Sequence, residues 1–180
     1  MAFYIIVKGK ITPFQFRYLD SNIPVHLEKT QIHSEELKGK SKIEAQKLLK
    51  DPVAIEAMTS KLITLSPAAK IRDAQNLMKE KKLHHIPLLI GTLLVGLISE
   101  KDLPHDPNLL EQEIRVSQIM SKIILCADEQ TPLRHVAKVF MEENINSLPI
   151  IDENLMVTGI ITHRDLLKWL LKNNQFTLKS

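Results

Sequence analysis

The feature that most constrains the fold is an internal repeat, in which the second half of the chain restates the first at an offset of 61 to 63 residues. Gly96–Leu103 reads Gly-Leu-Ile-Ser-Glu-Lys-Asp-Leu, and Gly159–Leu166 reads Gly-Ile-Ile-Thr-His-Arg-Asp-Leu. Both stretches contain a glycine, two aliphatic residues, a hydroxyl residue and, three positions later, an aspartate. Self-similarity at a fixed period indicates two structural units of the same kind.

The elements around these stretches also repeat in order. Each copy has a short helix-like segment, a β-like run, an amphipathic helix and a strand that carries a proline. The matching segments are Val53–Ala57 and Ile114–Ile119, Leu62–Leu65 and Ile123–Cys126, Ile71–Met78 and Leu133–Phe140, and His84–Leu88 and Asn146–Ile150. A second strand then leads into the glycine stretch, where a last helix begins.

This order of strand, helix, strand, strand and helix predicts an α/β (α+β) fold, with small sheets backed by helices. Either copy alone is too small to bury its apolar strands. We therefore expect the copies to pack about a pseudo-two-fold axis, as copy one at residues 53–110 and copy two at 111–172.

An N-terminal arm of residues 1–52 precedes the repeat, and a tail of residues 173–180 follows it. The arm holds five of the eight aromatic residues, on two strand-like segments around the turn at Lys8-Gly9, which predicts a hairpin. Its second strand is expected to run through Tyr18 with one aromatic face, and Ser41 followed by Glu44 predicts a short helix. An isolated hairpin is marginal in water, so the arm should pack on the main domain or on a second subunit.

The composition is that of an ordinary globular protein, with 44% hydrophobic and 25% charged residues. The single Cys126 excludes an intramolecular disulfide and a cysteine-cluster zinc site. No apolar run is long enough to cross a bilayer, and Phe3–Val7 is too short for a signal-peptide core, which favours the cytoplasm. The net charge of +3 permits nucleic-acid or phosphate ligands without requiring them.

The repeat resembles the CBS domain, named for cystathionine β-synthase, in the tandem pair called a Bateman module. The resemblance rests on Met58-Thr59 and Met120-Ser121, the strands that carry Pro87 and Pro149, and the two Gly-x-x-(Ser/Thr)-x-x-Asp stretches. It covers roughly residues 53–172. It implies a regulatory module that binds AMP, ADP or ATP, or S-adenosylmethionine, in clefts between the copies and signals through a homodimer or a protein partner.

The resemblance also implies which positions line the clefts, because in the family the strand-to-helix aspartate takes the ribose. Residues just before the proline of the other copy line the base and phosphate. One composite site would use Asp165, Thr162 and Ile160 with Ile63, Thr64, His84, His85 and Ile86. The other would use Asp102, Ser99 and Leu97 with Ile124, Asn146, Ser147 and Leu148.

Elementary chemistry supports these roles and leaves alternatives open. A carboxylate can accept hydrogen bonds from both hydroxyls of a ribose, yet an aspartate at this position is also what helix capping selects. Arg164 and Lys101 lie near helix N-termini, where a cation does not help the helix dipole; they could serve an anionic ligand or be surface charges. The histidine pair makes its site the better candidate for a polyphosphate.

We find no sequence support for catalysis: there is no phosphate-binding Gly-x-x-x-x-Gly-Lys loop and no convincing nucleophile with a base. We expect no required cofactor and no metal site. The sequence thus favours a non-enzymatic sensor. The alternatives are a dimerisation scaffold with vestigial sites, in which the arm is the working part, and a weak nucleic-acid binder.

Overall fold

A computed structural model describes residues 3–20, 51–106, 109 and 112–173. The strands are β1 (Phe3–Val7), β2 (Lys10–Phe14), β3 (His85–Ile90), β4 (Leu93–Ser99), β5 (Ile123–Asp128), β6 (Ser147–Ile151) and β7 (Val157–Thr162). The helices are α1 (Arg17–Asp20), α2 (Ala54–Ala57), α3 (Ile71–Lys81), α4 (Val116–Ile119), α5 (Leu133–Glu142) and α6 (His163–Asn173), with a 3-10 turn at Glu100–Asp102. The helix predicted after Ser41 and most of the C-terminal tail lie outside the described residues. No helix among those described is long and apolar enough to span a membrane.

The predicted mixed α+β architecture with an N-terminal hairpin is confirmed. The two amphipathic helices form as α3 and α5, because apolar residues three and four positions apart fall on one buried face. On α3 this face consists of Ile71, Ala74 and Met78, all buried.

Two strand predictions are wrong. Leu65 makes only an isolated bridge to Leu88, so the run from Leu62 to Leu65 is not a strand. The matching segment of copy two, β5, forms a strand because it has a neighbouring strand on each side, β1 and β6. Residues 62–65 have only the single bridge from Leu65 to Leu88, on one side. The aromatic strand of the arm ends at Phe14, and helix α1 follows, because the chain turns to bury Phe16 against Phe3.

The hairpin joins the main domain by extending a sheet. Five strands lie in the order β2-β1-β5-β6-β7, and β3 and β4 form a second sheet. Strand β1 pairs with β5 along its whole length, from Phe3 opposite Ala127 to Val7 opposite Ile123. This pairing gives the hairpin the support that it would lack in isolation.

Between the two sheets lies a core that includes Cys126, together with buried residues of β1, β4, β5 and β6. Cys126 is fully buried, and burial raises the pKa of its thiol to about 12. The thiol is accordingly a packing group.

The two copies exchange their opening segments. Helix α2 of copy one packs into the core of copy two, where Ala54 is fully buried, and α4 of copy two packs into the core of copy one, where Val116 is fully buried. The backbone bridges come in pairs that the repeat relates: Thr59 to Ile160 with Ser121 to Leu97, and Val53 to Pro132 with Arg115 to Lys70. Such interchangeable contacts are what a pseudo-two-fold axis produces.

Candidate functional site

In the described part of the chain, two clefts open between the copies, and each is named after its aspartate. The Asp165 cleft has a volume of about 400 Å³ and the Asp102 cleft about 490 Å³. Both volumes are typical of small-molecule sites. The clefts adjoin, because four residues line both of them: His85, Ser99, Lys101 and Asn146.

Asp165 lies in the first turn of α6, which follows β7 without a loop. Its Oδ2 accepts hydrogen bonds from the backbone N–H of Thr162 at 3.0 Å and from the Thr162 hydroxyl at 2.6 Å. Its Oδ1 accepts a longer hydrogen bond from the hydroxyl of Thr59 in copy one, at 3.4 Å, and lies 3.9 Å from the Lys168 ammonium. Capping therefore occupies mainly one carboxylate oxygen, and the other faces the opposite copy.

Asp102 has the same construction. Its Oδ2 accepts hydrogen bonds from the backbone N–H of Ser99 at 2.7 Å and from the Ser99 hydroxyl at 2.8 Å. Since a carboxylate can accept about four hydrogen bonds, capping and ligand binding are compatible in one side chain. The sequence alone leaves these two roles as alternatives.

The Asp165 cleft carries an excess of positive charge. Four basic side chains, Lys82, Lys101, Arg164 and Lys168, line it together with two carboxylates, Glu100 and Asp165. Glu100 already accepts a hydrogen bond from the His84 ring at 2.7 Å if Nδ1 carries the proton. A cleft with such a lining concentrates anions by its field.

His85 is half-buried between the clefts, and its pKa lies below the usual value. Burial is the main cause; the nearby charges of His84, Lys101 and His163 act in the same direction, and Asp102 acts against them. The ring is thus neutral at pH 7. An anion bound beside it would raise its pKa and favour the charged form.

The structure brings most of the predicted site residues to the clefts. The Asp165 cleft is lined by Ile160, Thr162, Arg164, Asp165, His84 and His85. The Asp102 cleft is lined by Leu97, Ser99, Lys101, Asp102, Ile124, Asn146 and Ser147. Ile86 and Leu148 lie fully buried in the cores instead, and Ile63 and Thr64 line neither cleft.

Several lining residues were not predicted from the sequence. In the Asp165 cleft these are Thr59, Lys82, Leu83, Glu100, His163 and Lys168. In the Asp102 cleft they are Ile5, Phe14, Phe16, Ser121, Ile123, Leu125, Glu143, Asn144 and Ile145. Lys82 and Asn144 occupy equivalent positions of the two copies, and both have a positive φ (55° and 52°). The repeat offset is therefore a signal that could have identified them as a pair of lining residues. No repeat signal points to the arm residues.

Comparison with protein families matches the CBS domain twice, at residues 53–104 and 116–172. The chain therefore belongs to the CBS-domain family, and the resemblance read from the sequence is confirmed.

Individual proteins with similar sequences or structures include three that are informative. The uncharacterized protein MJ1225 of Methanocaldococcus jannaschii is 26% identical over 136 residues, 68% of this chain and 49% of that protein, so this chain spans about half its length. The structure of CBSX2 in complex with AMP is 26% identical with a TM-score of 0.60, covering 67% of this chain and 96% of that one. The CBS pair of MJ0100, in complex with 5′-methylthioadenosine and S-adenosyl-L-methionine, is 25% identical with a TM-score of 0.58, covering 65% and 98%.

Proposed function

We propose that this chain is a regulatory protein without enzymatic activity of its own, which binds AMP, ADP or ATP in the Asp165 cleft. The observation that carries the proposal is a carboxylate oxygen of Asp165 directed at a cleft with four basic side chains. The carboxylate would accept hydrogen bonds from a ribose, and the basic residues would hold phosphates. S-adenosylmethionine is the further candidate, and AMP bound to CBSX2 supports an adenine nucleotide.

The position of the cleft explains how binding would become a signal. Thr59 and Lys82 come from copy one, whereas Arg164, Asp165 and Lys168 come from copy two. A ligand that contacts both sets favours the arrangement in which they lie at this spacing. Its binding energy would therefore shift the relative packing of the two copies, which a dimer or a protein partner can detect.

Calorimetric titration of the full chain with ATP tests the proposal. We expect Asp165→Ala to weaken binding about tenfold to a hundredfold, because a charge-assisted hydrogen bond contributes about 1.5 to 3 kcal/mol. Asp73→Ala is the matched control: Asp73 caps α3 through the backbone N–H of Lys70 at 3.2 Å, but it lines neither cleft. It should leave ATP affinity unchanged.

Two results would refute the proposed function. One is that AMP, ADP, ATP and S-adenosylmethionine all fail to bind the wild-type chain at millimolar concentration. The other is that Asp165→Ala and Asp73→Ala have equal effects on ATP affinity, since capping alone would then explain both aspartates.

A second candidate, a dimerisation scaffold, is favoured by the exposed apolar side chains on α6. Leu167, Leu170 and Leu171 are 61%, 42% and 69% exposed. They share one side of the helix, since residues three and four apart are neighbours. We propose that this side of α6 pairs with a second copy of the chain. We also propose that the protein is cytoplasmic. Nucleic-acid binding has only the net charge of +3 in its favour.

A further inference from the structure

The N-terminal arm contributes directly to the Asp102 cleft. Three of its residues, Ile5, Phe14 and Phe16, line this cleft although they lie outside both CBS motifs. The two phenylalanines are here called the aromatic wall. Pairing of β1 with β5 sets Ile5 opposite Leu125, another lining residue. The two-residue turn at Lys8 and Gly9, both with positive φ, sets the register of β2, which carries Phe14 opposite Phe3.

The wall has a fixed part and an open part. Phe16 is 6% exposed, and Phe3 and Phe14 pack against it at near-right angles, with ring centroids 5.2 and 4.8 Å away. Phe14 itself remains 40% exposed at the cleft. Phe14 is thus packed against Phe16, while the rest of its ring is accessible from the cleft.

Helix α1, which follows the hairpin, is hydrogen-bonded to a segment that lines the cleft. The Tyr18 hydroxyl donates a hydrogen bond to Glu143 Oε1 at 2.9 Å, and Lys138 donates one to the Tyr18 carbonyl. Burial and the Glu143 hydrogen bond both raise the pKa of Tyr18, so the phenol keeps its proton. Glu143 begins the segment Glu143–Ser147, which lines the cleft. Because the Tyr18 ring also packs against Phe16 of the wall, with ring centroids 5.0 Å apart, the hydrogen bond connects the wall to that segment.

The charges in this cleft differ from those in its neighbour. One basic residue, Lys101, and two carboxylates, Asp102 and Glu143, line it, and most of the other lining residues are apolar or uncharged. Such a lining disfavours a chain of phosphates and favours a flat, uncharged group. Asp102 still offers a carboxylate to a ribose, as Asp165 does.

We propose that the aromatic wall makes the Asp102 cleft a site for an adenine nucleoside without phosphates, with the base stacked on Phe14. This assignment rests on the proposed function and gives the two clefts different ligands. Nucleotides bind in the Asp165 cleft, and nucleosides bind in the Asp102 cleft. The arm selects the ligand, because it supplies the ring.

Calorimetric titration of the full chain with 5′-methylthioadenosine and, separately, with ATP tests this division. We expect Phe14→Ala to weaken 5′-methylthioadenosine about tenfold, in keeping with the effect of removing an aromatic ring from a stacked base, and to leave ATP unchanged. Phe14→Leu, which keeps the apolar bulk, should also weaken the nucleoside. Val7→Ala is the matched control, since Val7 is 39% exposed on the same hairpin and does not line the cleft.

The titrations distinguish a failure of the aromatic-wall proposal from a failure of the nucleotide proposal. If Phe14→Ala and Phe14→Leu bind 5′-methylthioadenosine as Val7→Ala does, or if ATP displaces the nucleoside from the same site, the aromatic wall has no such role. The nucleotide proposal survives that result when Asp165→Ala still weakens ATP. If the wild-type chain binds neither ligand, both proposals fall.

Discussion

At the scale of single residues, the glycines of the repeat lie against methionines from the other copy. A Cβ atom on Gly159 would lie 2.3 Å from the sulfur of Met58, and one on Gly96 would lie 2.2 Å from the sulfur of Met120. Each separation is far below a normal contact, so a side chain at either glycine must displace the methionine. The glycine of the repeated motif therefore marks a point of close contact between the two copies.

Gly159→Ala should destabilise the fold by about 1 to 3 kcal/mol, the usual cost of overpacking a well-packed site. Its effect should shrink in a Met58→Ala background, because the two closest atoms, the sulfur and Cγ of Met58, are then gone. Denaturant unfolding of both single variants and the double variant measures this coupling. Equal costs of Gly159→Ala in the two backgrounds would show that Met58 does not set the requirement.

Single residues also show how far the sequence could predict the site. Asp102 and Asp165 could be named because both lie in the repeated Gly-x-x-(Ser/Thr)-x-x-Asp stretch that carries the family resemblance. The predicted site includes both residues of the consecutive pairs His85-Ile86 and Ser147-Leu148, yet neighbouring side chains on a strand point to opposite faces. Hence His85 and Ser147 reach the clefts, whereas Ile86 and Leu148 fill the cores.

At the scale of elements, periodicity predicted α3, α5 and most of the strands, because an amphipathic pattern is contained in the segment that shows it. It could not predict which core receives α2 and α4, since either copy offers an equivalent surface. Nor could it predict that β1 pairs with β5, some 120 residues away along the chain. Local pattern does not specify such long-range partners, and the aromatic wall depends on one of them.

Helix α6 is the element that we propose to pair with a second copy of the chain. Leu167→Glu combined with Leu171→Glu should convert a dimer into a monomer of 20.6 kDa, because four charges would face one another across the axis. Light scattering after size-exclusion chromatography gives the mass. Ile90→Glu, at an equally exposed apolar site (63%) on β3, should leave the dimer intact. A wild-type chain that is already monomeric would contradict the scaffold proposal.

At the scale of the whole molecule, neither copy has a complete core or a complete cleft without the other. The opening helices exchange cores, and the lining of the Asp165 cleft is divided between copy one and copy two. A ligand in that cleft would therefore act on the interface that holds the fold together. Under the proposed function, linkage alone would make the packing of the copies responsive to ligand concentration.

Amide hydrogen exchange of the full chain, measured with and without saturating ATP, shows whether one ligand couples the two copies. We expect protection to rise together in residues 58–60 and 82–85 of copy one and in residues 160–168 of copy two, because one ligand orders both sides of one cleft. Protection confined to a single copy, or unchanged exchange in all three segments, would contradict this coupling.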